Sequence, residues 1–220
     1  MRQIVLIGGG DHASEIIGAA RLSGMSVTGI YDDDSNLWGQ SICDVLVKGP
    51  VDQAVHTGLP AVLSSADPVH RRELAEHLKL SWVTVIHPKA VVERYAHLEL
   101  GCVVLDGAVV QPGVRMGAHV VVGAKSTVAH DCILGDYVHM QPGVQLAGYV
   151  EVGEGASLGG GAVVIPKVRI GRWSTISVAS VLIHDVSDFT SVAGVPAKEI
   201  TVPTAILSEP RLDYGRMQTG

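Results

Sequence analysis

Two rhythms of apolar residues divide the chain. Up to Ser81, short apolar runs alternate with helix-like segments. QIVLI leads through a glycine-rich turn into DHASEIIGAARLSG, which reads as a helix. SVTGIYDDD then reads as a second strand, PAVLSS as a third, DPVHRRELAEHLKL as a second helix and WVTVI as a fourth strand. Strand, turn and helix in alternation predict a small parallel sheet with helices on its faces.

From Ile86 the period becomes six. Every sixth residue from Ile86 to Leu182 is Ile, Val, Leu or Met, without an insertion to break the register. Four places after each of them, from Ala90 to Val186, stands Ala, Cys, Ser or Val. An ordinary half-buried strand would show period two and lose phase at each turn. A sustained period of six predicts a parallel β-helix, with the first series filling the interior, the second fitting tight corners, and three hexads closing one triangular coil. The expected organisation is an α/β domain with a Rossmann-like sheet over 1–82 and a β-helix with a C-terminal cap over 83–220.

Composition sharpens this picture. Aromatic residues are only 4% of the chain and Gly numbers 26, which favours many thin layers over one aromatic core. The apolar run before the first glycines is too short for a secretory signal, and no stretch reaches the length of a membrane span, so a cytoplasmic protein with no membrane partner is expected. Cys43, Cys102 and Cys132 are odd in number and lack C-x-x-C spacing, which argues for buried thiols over a disulfide framework or zinc finger. A formal charge of −6 without a basic cluster argues against nucleic acid, so an anionic ligand must find local donors.

Candidate chemistry gathers in TVAHDCILGDYVHM, where His130, Asp131 and His139 fall close together. His130 and His139 are half a coil apart, a separation on the order of 15 Å, so they cannot grip one small ligand within one chain. A neutral imidazole at His130 suits a general base, and Asp131 beside it would hold its tautomer. His56, His70, His77, His97 and His184 carry no such pattern. GGGDHA satisfies G-x-G-x-x-A at Gly8, Gly10 and Ala13, between a strand and a helix, where backbone N–H groups suit phosphates. Asp32 ends the second strand as a ribose-binding acid would, yet the half is too short for a full dinucleotide fold.

On IGGGDHASEI, YDDD, VAHDCILGDYVHMQPGV, the hexad register and AGVPAK ending at Lys198, the chain resembles the hexapeptide-repeat acyltransferases, which are left-handed parallel β-helices. It is most similar to bacterial sugar acetyltransferases that carry a small N-terminal nucleotide-binding domain. These are chiefly N-acetyltransferases of the 4-amino group of nucleotide-linked deoxysugars, with sialic acid O-acetyltransferases as relatives. The resemblance implies an acetyl-CoA-dependent enzyme without a metal, a homotrimer with intersubunit sites, and direct transfer to the amine of a nucleotide-linked aminosugar. It further implies His130 as base with Asp131 as its acidic partner, where the family often has Glu. His139, Gly160 and Val178 would border acetyl-CoA. Gly148, one coil after His130, would offer an N–H to the oxyanion, and Lys198 near the cap would reach a CoA phosphate, with Lys167, Arg169 and Arg172 as competing candidates for that contact. Gly10, Asp11, His12, Asp32, Asp33 and Ala66 would meet the nucleotide sugar. Asp11 and Ala66 stand where relatives usually have Gly, and Gly123 stands where some have Asn. Zinc-bearing β-helix relatives carry a His-x4-His pair that His119, His130 and His139 do not form. O-acetylation of a sialic-acid-type sugar and a non-catalytic scaffold remain as alternative functions.

Overall fold

The computed structural model describes residues 1–201. The stretch 202–220, which the sequence reading assigned to the β-helix half, lies outside the described residues.

The N-terminal unit comprises β1 (Arg2–Ile7), α1 (Ala13–Leu22), β2 (Met25–Tyr31), β3 (Ser41–Ile42), β4 (Val45–Gly49), β5 (Ala61–Leu63) and α2 (Pro68–His77). They form one sheet in the order β3-β4-β2-β1-β5. β1 is parallel to both β2 and β5. Its residues Ile4, Val5, Leu6 and Ile7 are all fully buried because both faces of the sheet are covered. Ile4 and Leu6 pack with Ile16 and Ile17 of α1, while Val5 and Ile7 pack with Leu74 and Leu78 on the α2 side.

Two elements depart from the sequence reading. A hairpin of β3 and β4 intervenes before PAVLSS, turning at Cys43 and Asp44 with φ of 47° and 62°. Two positive φ values in a two-residue loop are ordinarily supplied by Asn-Gly or Asp-Gly, so Cys-Asp gives no turn signal. WVTVI is not a fourth strand of the sheet. Trp82 makes a single bridge to Ala61, and Val85–Ile86 already forms the first rung of the β-helix. Val83 and Val85 are drawn that way because they bury with Val103 and Val121 in the core shared by the two halves.

The β-helix is built of two-residue rungs pairing in parallel with the residues one coil on, as Val109 with Thr127 and Thr127 with Gln145. Its three faces are a six-stranded sheet from Val91–Val92 to Val181–Leu182, a five-stranded sheet from His97–Leu98 to Arg169–Ile170, and an eight-stranded third face. The third face runs from Val85–Ile86 to the hairpin Ser191–Gly194/Ala197–Glu199. The second residue of a rung points inward, and Met116, Met140 and Leu146 are at most 1% exposed. Corner residues Ala108, Cys132, Val144 and Ala156 are fully buried beside them. Every sixth residue from Gly101 to Ala179 has a φ between 55° and 78°, so each corner needs one left-handed residue. The N-terminal unit sits on the third face, over the outward side chains Val85, Val103 and Val121.

Candidate active site

In an open parallel sheet a ligand crevice forms where successive connections leave in opposite directions. Here that point is β1, flanked by β2 and β5. A cavity of about 510 Å³ opens there, walled by Gly8, Gly10, Asp11 and His12 after β1 and by Ser64, Ser65, Ala66 and Asp67 after β5. Asp32, His70 and, from the β-helix, Gln141 complete its lining. Gly8 has φ of 104°, and a Cβ there would stand 2.7 Å from Ser64 Oγ, so no other residue fits. Ser64 Oγ donates to Gly8 O at 2.5 Å and ties the two walls together.

The acids divide their roles. Asp32 accepts Gly9 N–H at 2.6 Å on one oxygen and Asp34 N–H at 2.7 Å on the other, so this carboxylate shapes the loop as well as facing the crevice. Asp33 turns to Val51 N–H at 3.0 Å and is not among the lining residues. His70, which the sequence gave no reason to single out, does line it.

His130 lies at the corner between the six- and five-stranded faces, with its side chain about half exposed. The left-handed backbone at Asp131, φ 59°, turns the carboxylate back onto the preceding ring, and Asp131 Oδ2 stands 2.9 Å from His130 Nδ1. Gln111 Oε1 accepts His130 N–H at 2.9 Å, and Tyr149 packs edge-on against the ring with centroids 5.1 Å apart. Gly148 lies directly over the imidazole, since a Cβ there would come within 2.6 Å of Cε1 and Nε2. A groove of about 530 Å³ leads from Asp131 to Tyr95, His97 and Arg115.

His139 is elsewhere. It stands on the third face at 2% exposure, with His12 edge-on at 5.5 Å between centroids and Arg71 Nη1 3.2 Å from Nδ1. Burial first, then the charges of Arg71 and His12, push its pKa down to about 3. Its ring is therefore covered by the N-terminal unit and does not reach the surface that carries His130. Gly160 and Val178 stack at one corner a coil apart, with Ala179 N–H donating to Gly160 O at 2.9 Å, and Val178 is 69% exposed. Lys198 lies in the last hairpin, paired across from Ala193. Gly123 packs against the backbone of the next coil, 2.6 Å from where its Cβ would be, which leaves no room for an Asn. His119 stacks on Tyr137 rather than joining a metal set, and among the described residues no His, Cys, Asp or Glu group is arranged to hold a metal.

The sequence reading missed Arg71, a guanidinium only 1% exposed. A clue was present, since Arg71, Leu74 and Leu78 recur at the i, i+3, i+7 spacing of one helix face.

Comparison with known proteins places this architecture. No family model matches the chain. A solved perosamine N-acetyltransferase from Caulobacter crescentus, in complex with CoA and GDP-perosamine, is 32% identical, covers 92% of this chain and 98% of its own, and superposes with a TM-score of 0.85. The acetyltransferase domain of PglB from Neisseria gonorrhoeae, in complex with acetyl coenzyme A, is 30% identical over 90% of this chain and 99% of that one, with a TM-score of 0.84. Serine acetyltransferase of Salmonella typhimurium is 25% identical over 86% of this chain and 70% of that protein. The chain belongs to the hexapeptide-repeat acetyltransferases and folds as their left-handed parallel β-helix. Within that family it is an acetyl-CoA-dependent acetyltransferase in which an N-terminal α/β unit joins the β-helix, and it is similar over 92% of its length to the perosamine N-acetyltransferase.

Proposed function

We propose that this enzyme transfers acetyl from acetyl-CoA to the 4-amino group of a nucleotide-linked aminodeoxysugar, with His130 as general base. The observation that carries the reading is the His130–Asp131 pair. A carboxylate 2.9 Å from Nδ1 holds the proton there, which leaves the Nε2 lone pair over Gly148 to take a proton from the amine. The amine nitrogen attacks the thioester carbonyl, an N–C bond forms and the C–S bond breaks. The amine proton passes to Nε2 and from there to the departing thiolate. No covalent enzyme intermediate is needed when both substrates are held together.

The crevice is the expected nucleotide site, and the solved relative that carries GDP-perosamine supports that class of acceptor. Within one chain the crevice opens against the third face, whereas His130 occupies the corner between the other two. A homotrimer that apposes the crevice of one copy to His130 of the next reconciles the two positions. Acetyl-CoA consumption measured against UDP-, dTDP- and GDP-linked aminosugars and free sialic acids tests the reading. Turnover of an aminosugar nucleotide is expected. Turnover of sialic acids alone would favour O-acetylation, and none with any acceptor would favour a scaffold role.

A further inference from the structure

Arg71 projects from α2 into the junction between the two halves and meets four carbonyl oxygens and one imidazole nitrogen. Nη1 donates to the carbonyls of Ser65 at 2.9 Å and Ala66 at 3.0 Å, on the crevice wall, and approaches His139 Nδ1 at 3.2 Å. Nη2 donates to the carbonyls of Tyr137 at 2.6 Å and Val138 at 3.4 Å, on the β-helix. A guanidinium has donors only, so the nitrogen of His139 that faces it must be the acceptor. His139 Nε2 is buried and has no hydrogen-bond partner among the described residues.

We propose that Arg71 is a positioning residue that holds His139 as the neutral tautomer protonated at Nε2, so that this N–H is presented beside His12 as a donor for an acceptor oxygen of a bound substrate. The catalytic use of that donor rests on the acetyl-transfer reading above, whereas the tautomer does not. Two further features agree. Protonating Nδ1 would break the contact with Arg71 and set two cations side by side without water, and Arg71, its own pKa lowered to about 10 by burial against the opposing pull of Asp67, stays charged at neutral pH. A buried N–H left without a partner costs free energy that a ligand oxygen would recover.

Nitrogen NMR of the histidine side chains in the full-length protein tests this, with His139 assigned by the signal lost in His139→Gln. The wild type is expected to show Nε2–H and a hydrogen-bonded, unprotonated Nδ1, and to keep that form about two pH units below the ordinary imidazole pKa. In Arg71→Met the Nδ1 resonance should move to its non-hydrogen-bonded position and His139 should take up a proton at higher pH, and Arg71→Lys should restore part of both. A role confined to anchoring the two halves would lower the melting temperature and leave the His139 nitrogens unmoved. The proposal is overturned by an Nδ1–H or charged ring in the wild type at neutral pH, or by unchanged His139 resonances in a folded Arg71→Met. If Arg71→Met does not fold, the wild-type titration and Arg71→Lys decide it. None of these readouts needs turnover, so loss of the acetyl-transfer reading would show separately, in the acceptor panel.

Discussion

His130 occupies a corner where substitution disturbs little of the interior, so its chemistry separates from its contribution to stability. His130→Asn should leave the melting temperature unchanged and lower kcat by about 10²- to 10⁴-fold, the range of a lost general base. A loss of less than about tenfold in steady-state kinetics would demote it to a turn residue. Gly148→Ala should lower kcat too, because the new methyl group would come within 2.6 Å of the imidazole Cε1 and Nε2 and push the ring aside. The cysteines divide by environment. Burial pushes the thiol pKa up to about 12 at Cys102 and about 11 at Cys132, whereas Cys43 is exposed. An alkylating reagent at neutral pH should therefore label Cys43 alone in the folded protein, and mass spectrometry after brief exposure checks it. At this scale His130 and Asp131 were legible, because the hexad register fixes which residues fall at a corner. Arg71 was not, since a charged residue on a helix reads as solvent-facing until its carbonyl partners, from residues distant in sequence, are known.

The rungs and corners obey a local rule, which is why the β-helix could be read from its period. Each inward side chain touches the same position one coil above and below, and no long-range choice intervenes. Leu146→Ala removes such a side chain from a rung that is 1% exposed, and should cost about 2–5 kcal/mol in denaturant unfolding. Asp67→Ala, which removes the cap accepting Val69 N–H at 2.8 Å at the start of α2, should cost only about 1 kcal/mol by the same measurement. The N-terminal elements are less legible because their partners are chosen non-locally. The β3–β4 hairpin turns on residues that do not advertise a turn, and Val85 leaves the sheet for a core that exists only once the coils are stacked.

Across the whole molecule, two buried imidazoles couple stability to pH. His119 is depressed to about 4, chiefly by burial and then by the charge of Arg71, and His139 to about 3. The unfolded chain takes up a proton at each near the ordinary value of about 6.5, whereas the folded chain does not until those lower values. Across that interval the unfolded state binds more protons, so stability falls as pH falls, by up to about 1.4 kcal/mol per pH unit for each histidine. Denaturant midpoints should be level above about pH 7 and decline below about 6.5, and His119→Gln or His139→Gln should flatten the decline. An equal slope in all three proteins would refute the assignment. Sedimentation equilibrium should show a trimer, and a fully active monomer would remove the shared-site arrangement. Finally, the outward column of the third face reads Val85, Val103, Val121, His139, Ser157, Thr175, apolar for three rungs and polar thereafter. The apolar part of the N-terminal unit's seat therefore ends before the fourth graduation of a ruler marked every 4.8 Å or so, and beyond it the unit still reaches the β-helix through Arg72 of α2, whose guanidinium lies 4.5 Å from the centroid of the Trp173 ring. One whole coil of eighteen residues inserted past Leu182 should therefore lengthen the reach toward the capping hairpin while the crevice, His130 and the Gly148 and Tyr149 packed on it keep their level.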